Sequence, residues 1–254
     1  MALRALLWDV DGTLAETERD GHRRAFNRAF AELGVPLHWD AQAYGAWLAI
    51  AGGHERIRAA LRQLEGRTPD PARVEALQAC KQRHYAALMA AGGLELRPGV
   101  AALIQEATAA GVRQAIVTTS GRAAVQALAE RLLGDLADAF ELRVCGDDVR
   151  RKKPDAEAYS LALQRLGLAP GDALAIEDSP AGLAAAVAAG VPCALTLSHY
   201  TSGADGGSGG GADSPGRFAL ARAVLTGLGA DGRVLRGPTC HQGRVTLSYL
   251  ETLL

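Results

Sequence analysis

Between residue 100 and residue 197 the chain alternates, four times over, between a helical spacing of apolar residues and a short apolar run. Helical spacing at 100–109, 121–133, 155–166 and 179–189 is followed by strand-like runs at 114–117, 142–145, 173–176 and 193–197. Such alternation leaves little choice of architecture. Strands joined through helices must run parallel, and right-handed crossovers bury the sheet between helical layers. A further apolar run, 3–8, opens the chain and adds a strand. The fold class is therefore α/β, a Rossmann-like parallel sheet, and its ligands belong at the carboxyl ends of the strands.

Those ends carry polar residues. The first strand runs into Asp9-Val10-Asp11-Gly12-Thr13. Residues i and i+2 of a strand share a side, so Asp9 and Asp11 converge where Gly12 lets the chain bend. Two close carboxylates at a buried strand end are costly unless a cation or a shared proton compensates them. An ordinary Asp-Gly turn is the simpler reading of this stretch alone. The second strand end reads Thr118-Thr119-Ser120, which suits either phosphate binding at a helix N-terminus or a plain helix cap. Arg150-Arg151-Lys152-Lys153-Pro154 reads as a solvated basic loop, with a nucleic-acid patch as the weaker alternative. Glu177-Asp178-Ser179-Pro180-Ala181-Gly182 ends a buried strand in two acids and opens a helix. Asp9, Asp11, Glu177 and Asp178 would then meet in one cleft, and oxygen ligands with an open position suit Mg2+.

Residues 16–93 contain no strand-like run. Helical spacing at 17–33, 39–51, 54–64 and 71–90 makes this block a four-helix insert, flanked by a core of 1–15 and 94–254. Residues 204–212 are glycine-rich and read as a loop, and 245–254 as a terminal helix started near Thr246.

Bulk properties exclude several functions. The 254 residues carry a formal net charge of −1, which argues against nucleic acid or a membrane surface as partner. The apolar start is interrupted by Asp9 and Asp11 before any cleavage signature. Residues 180–197 are uncharged, but Gly182, Gly190 and Pro192 break them into a helix and a strand. Cys80, Cys145, Cys193 and Cys240 are scattered and read as reduced thiols of a cytoplasmic protein. A monomer is the expectation.

The four strand-end signatures, in this order, resemble those of the haloacid dehalogenase superfamily. The resemblance implies Asp9 as nucleophile, Asp11 as general acid/base, and Thr118 and Lys153 as partners of the phosphoryl oxygens. It also implies magnesium held by Asp9, Asp11, Glu177 and Asp178, and an α-helical cap over 16–93. The stretch 15–27, the run Gly52-Gly53-His54-Glu55-Arg56-Ile57 and the tail Arg236-Gly237-Pro238-Thr239-Cys240 with Val245-Thr246-Leu247 are similar to CbbY-type sugar phosphatases. Those enzymes accompany Rubisco in Calvin-cycle organisms and dephosphorylate xylulose-1,5-bisphosphate. His54 departs from that pattern, where lysine is expected. The implied activity is phosphoric monoester hydrolysis of a small sugar phosphate. A phosphomutase of beta-phosphoglucomutase type and a non-catalytic sugar-phosphate or Rubisco-binding regulator are the alternatives. Thr13 weighs for the phosphatase, since such mutases tend to carry an aliphatic residue there. Expected substrate-binding residues are Glu16, His22, Arg23, Gly53, His54, Arg56, Thr119 and Ser120. Arg56 is the candidate for the phosphate that is not cleaved, because its fork matches phosphate geometry; the competing reading makes it a surface charge.

Overall fold

The computed structural model describes residues 2–202, 216, 218–240 and 243–254. The glycine-rich 204–212 stretch lies outside them. Among the described residues, strands β1 (Ala5–Trp8), β2 (Arg113–Val117), β3 (Leu142–Val144), β4 (Ala173–Glu177), β5 (Cys193–Thr196), β6 (Ala223–Leu225) and β7 (Val234–Arg236) form one sheet. Its order is β3-β2-β1-β4-β5-β6-β7, parallel except for the antiparallel β6–β7 pair. β1 sits between β2 and β4, with Trp8 opposite Ile116 on one side and Ile176 on the other. The strand order turns at β1, which puts the crevice at its carboxyl end. Successive β1 residues serve opposite layers. Leu6 and Trp8 join a core with Ile116, Leu174 and Ile176, while Ala5 and Leu7 join Ala115, Val117 and Ala175. Both faces are covered, so the strand sequences are apolar throughout rather than alternating.

Between β1 and the rest of the sheet lie α1 (Arg23–Glu32), α2 (Ala41–Trp47), α3 (Gly53–Glu65) and α4 (Pro71–Ala90). The Asp40 carboxylate caps α2 by accepting from the Ala43 N–H at 2.7 Å. Asp70 caps α4, with Pro71 at its first position where no backbone donor is needed. These helices enclose their own apolar cluster around Phe26, Phe30, Trp39, Tyr44, Ile57 and Leu77. The Asn27 side chain stitches the α1–α2 link, donating to the Trp39 carbonyl and accepting from its N–H, both at 2.8 Å.

The remaining helices are α5 (Val100–Ala109), α6 (Arg122–Leu128), α7 (Glu157–Leu166), α8 (Pro180–Ala188) and α9 (Leu247–Glu251). Three details differ from the sequence reading. The first helical stretch opens with a wide π turn, Glu18–His22, before α1 begins. The stretch expected to be helical to residue 133 leaves α-geometry at Leu128 and passes through a π turn and a 3-10 turn. β6 and β7 are strands the pattern does not reveal, because three residues are too few to display a period. Among the described residues, no helix is long and apolar enough to cross a membrane.

Candidate active site

β1 delivers Asp9 to the carboxyl edge of the sheet, where the Asp9 N–H donates to the Ile176 carbonyl at 3.0 Å. Beyond it the chain turns at Gly12, whose φ is +89°. A Cβ on Gly12 would stand 2.2 Å from Asp178 Oδ2, so only glycine lets this turn pass the acid.

Lys153 is buried and reaches three acceptors. Its Nζ donates to Asp9 Oδ1 at 2.8 Å, to the Val117 carbonyl at 2.7 Å and to Glu177 Oε1 at 2.5 Å. Burial would lower its pKa, but the carboxylates of Asp9 and Glu177 outweigh it and keep the ammonium charged. Tyr159 also donates to Glu177 Oε1, at 2.6 Å. Glu177 thus steers the lysine with one oxygen, while its Oε2 is buried with no hydrogen-bond partner. Gly182 makes room for that oxygen, since a Cβ there would lie 1.8 Å from it.

Asp9, Glu177 and Asp178 form a buried group whose nearest ligand oxygens all lie within 4.8 Å of one another. Burial, reinforced by Glu177, pushes the Asp178 carboxyl up to about 8. Burial likewise raises Asp9; Lys153 opposes this and the neighbouring acids add to it. Three carboxylates facing one cation leave negative charge uncompensated, and the unpartnered Glu177 oxygen marks the deficit. A hard divalent ion fits this donor set. Asp9 and Asp178 offer it carboxylate oxygens, with Glu177 beside them.

Asp11 is placed differently. Its Oδ1 accepts from the Thr17 hydroxyl and from His22 Nε2 (3.0 Å), and its Oδ2 accepts from Ser120 Oγ at 2.5 Å. Burial alone would raise this carboxyl, yet His22, Ser120 and Thr17 together hold it well below the usual carboxylate range. His22 Nδ1 in turn faces Lys81 Nζ at 2.9 Å. Lys81 is buried, and desolvation lowers its pKa to about 8.

The cleft in front of these groups has a volume of about 370 Å³. Glu16, Glu18, Arg56 and Thr119 line it together with Asp9, Asp11, Lys153 and Asp178. Glu16 is held at its rim, 3.3 Å from Arg97 Nε, and accepts from the His199 N–H at 3.2 Å. Thr118 is buried at the end of β2, where its Oγ1 accepts from the Ser120 N–H at 3.1 Å. Gly53 begins α3 behind a left-handed Gly52, beside the Glu55–Lys152 ion pair of 2.7 Å. Arg56 is neither a surface charge nor a free cation. Nε donates to the Ile50 carbonyl (2.8 Å), Nη1 to the Tyr44 hydroxyl (2.7 Å) and Nη2 to Glu18 Oε1 (3.2 Å). Five expected residues, His22, Arg23, Gly53, His54 and Ser120, do not line the cleft. Arg23 bonds to the Arg19 and Trp39 carbonyls, and His54 pairs with Glu75 at 2.9 Å. His22 and Ser120 lie beside Asp11 and are committed to it.

Sequence reasoning missed Arg97, Lys81 and the Glu18–Tyr44 pair. Arg97 spans the site, donating to the Gly12 carbonyl and, at 2.5 Å, to the Leu197 carbonyl. It was hidden in an Arg-Pro-Gly turn. Lys81 did leave a signal, since it stands on the stripe Val74, Leu77, Lys81, Tyr85, Leu88, at a position where a core residue belongs.

The chain is similar to known proteins over most of its length. A family model described as haloacid dehalogenase-like hydrolase matches residues 3–190. Protein CbbY of Rhodobacter capsulatus is 47% identical over 206 residues, covering 81% of this chain and 90% of that protein. A CbbY variant from Rhodobacter sphaeroides, solved in complex with xylulose-(1,5)bisphosphate, superposes with a TM-score of 0.77 at 39% identity. The match covers 89% of this chain and 94% of that one. CbbY from the same organism in complex with phosphate is equally similar, at TM-score 0.77 and 40% identity.

Proposed function

The chain belongs to the haloacid dehalogenase-like hydrolases, and we propose that it is a magnesium-dependent phosphatase of a small sugar bisphosphate, xylulose-1,5-bisphosphate in particular. The observation that carries this reading is the lysine-steered Asp9 beside a separately held Asp11, at the edge of a cleft lined by both acids and cations.

Asp9 attacks phosphorus in line; the bond from phosphorus to the sugar oxygen breaks and an aspartyl-phosphate forms. Asp11 gives the departing sugar oxygen a proton. It then takes one from the water that attacks phosphorus and frees Asp9. In the present arrangement Asp11 is an ionised acceptor. To carry a proton its carboxyl has to leave Thr17, His22 and Ser120, and doing so removes the interactions that depress its pKa. Lys153 offsets charge on the phosphoryl oxygens, with Thr118 and Thr119 at the neighbouring strand end. Asp9, Asp178, Glu177 and the Asp11 backbone carbonyl would hold Mg2+, whose role is to neutralise phosphate charge during transfer.

The helical block 16–93 is read as the cap that selects the substrate. Glu16 faces the cleft as an acceptor for sugar hydroxyls, and Arg56 is the cation for the distal phosphate, exchanging Glu18 for it. The sugar bisphosphate bound by the CbbY structure supports this assignment. The test is phosphate release with Mg2+ from xylulose-1,5-bisphosphate, phosphoglycolate, an aryl phosphate and glucose 1-phosphate, the last with and without glucose 1,6-bisphosphate. The expected result is the highest kcat/KM for the xylulose bisphosphate and no turnover in EDTA. Primed formation of glucose 6-phosphate, or undiminished turnover in EDTA, would overturn it.

A further inference from the structure

Away from the cleft, three side chains of the helical block converge. Glu32 is the last residue of α1, and Cys80 and His84 stand one turn apart on α4. A carboxylate oxygen, the thiol sulfur and an imidazole nitrogen of these three lie within 4.8 Å of one another. The i,i+4 spacing puts Cys80 and His84 on one helix face. His84 Nε2 is 2.8 Å from Glu32 Oε2, and the Cys80 sulfur lies within 4.8 Å of the ligand atoms of both. The other oxygen of Glu32 accepts from Arg83 Nη2 at 2.8 Å. Cys80 is buried, whereas Glu32 is exposed and His84 half-buried, so the cluster opens to solvent on one side.

We propose that Glu32, Cys80 and His84 form a second metal site, selective for a borderline-soft divalent cation of the zinc class, which ties α1 to α4. The donor set is the reason. Thiolate, imidazole and a monodentate carboxylate are the ligands of Zn2+, with a fourth, solvent-side position left for water. The acids of the cleft offer oxygen only and suit a hard ion, so the two clusters sort cations by softness. The site is built on two helices packed along each other, which fixes the three donors better than a loop would. Arg83 keeps one oxygen of Glu32 and orients the other, the part an outer partner plays for a ligating carboxylate.

The proton balance is simple. Cys80 gives its S–H proton to solvent and binds as thiolate. His84 gives the Nε2 hydrogen that now faces Glu32 to solvent, the neutral ring carries its hydrogen on Nδ1, and the Nε2 lone pair binds the cation. Glu32 Oε2 exchanges the imidazole hydrogen it now accepts for the cation. No residue of the cleft takes part.

The test uses the full chain with Mg2+ in excess, so that the cleft acids are filled, and Co2+ as a spectroscopic stand-in for Zn2+. One equivalent of Co2+ should produce a sulfur-to-cobalt charge-transfer band in the near ultraviolet, and added Zn2+ should bleach it. Cys80→Ser should abolish the band. His84→Ala and Glu32→Gln should weaken the apparent affinity about tenfold or more. Glu32→Gln lies at an exposed helix end and leaves the fold intact. Phosphate release in Mg2+ should stay at the wild-type rate in all three variants. No band in the wild-type protein, a band that survives Cys80→Ser, or unchanged affinity in Glu32→Gln would overturn the proposal.

Discussion

Arg56→Ala separates two uses of one buried cation. The guanidinium side chain is 9% exposed and its partner Glu18 17%. Its bonds to Glu18, Tyr44 and the Ile50 carbonyl join the π turn before α1 to α2 and α3. Burial would lower its pKa, but Glu18 and Tyr44 hold the charge firmly on it. Truncation leaves a carboxylate, a phenol and a carbonyl facing a void. Removing one partner of a buried pair costs about 3–5 kcal/mol. Glu18 touches the cleft and regains some water, so the lower end applies, about 3 kcal/mol. For a chain of this size that is roughly 6–12 °C in Tm, at about 2–4 °C per kcal/mol. A thermal melt by circular dichroism reads it, and a shift below about 2 °C would refute the buried-pair reasoning. The same variant tests the distal-phosphate role. If Arg56 grips that phosphate, the ratio of kcat/KM for the bisphosphate to that for an aryl phosphate falls about 10- to 150-fold, the equivalent of about 1.5–3 kcal/mol for a charged hydrogen bond. An unchanged ratio leaves Arg56 as a structural pillar.

Asp11→Asn should keep the fold and lose about 10²–10⁴-fold in kcat, the usual worth of a general acid/base; near-normal turnover would remove Asp11 from the chemistry. The Asp178 carboxyl, held at about 8 by burial and Glu177, takes up a proton on folding between its ordinary value near 4 and about 8. Its contribution therefore falls as pH rises through that window. In EDTA the urea midpoint should be lower at pH 8 than at pH 5, and Mg2+ binding at pH 7 should release about one proton, measurable by calorimetry in two buffers. Equal midpoints and no proton release would contradict this. Gly182→Ala forces Glu177 away from its place and should cost about 1–3 kcal/mol of stability along with weaker Mg2+ binding; a neutral result would mean that Glu177 has room to spare.

Much of the site was legible because its residues sit at strand ends. An unbroken apolar run marks a strand covered on both faces, and the polar residue where the run stops lies at the sheet's edge. Asp9, Thr118, Glu177 and Asp178 stand at such ends, and β1, β2 and β4 are neighbours in the sheet. Lys153 needed more, since nothing in a basic loop tells Lys153 from Lys152. The first turns inward to Asp9 while the second pairs with Glu55. The helical block was harder. Its side chains are chosen by partners far along the chain: Arg56 is held by Glu18, 38 residues away, which no local pattern around Arg56 encodes. Arg23 and His54 carried the right charge, but their helix positions face away. Short strands such as β6 and β7 exist only by pairing, which local pattern does not encode.

The covalent step is tested most directly by rapid acid quench of the enzyme turning over xylulose-1,5-bisphosphate with Mg2+, followed by peptide mass mapping. Nucleophilic attack by Asp9 predicts one phosphoryl group on the peptide containing Asp9, appearing before free phosphate reaches its steady rate. It further predicts that Asp9→Asn, folded by circular dichroism, shows neither the phosphopeptide nor turnover. Turnover retained in Asp9→Asn, or a phosphoryl group found on another residue, would contradict Asp9 as the nucleophile.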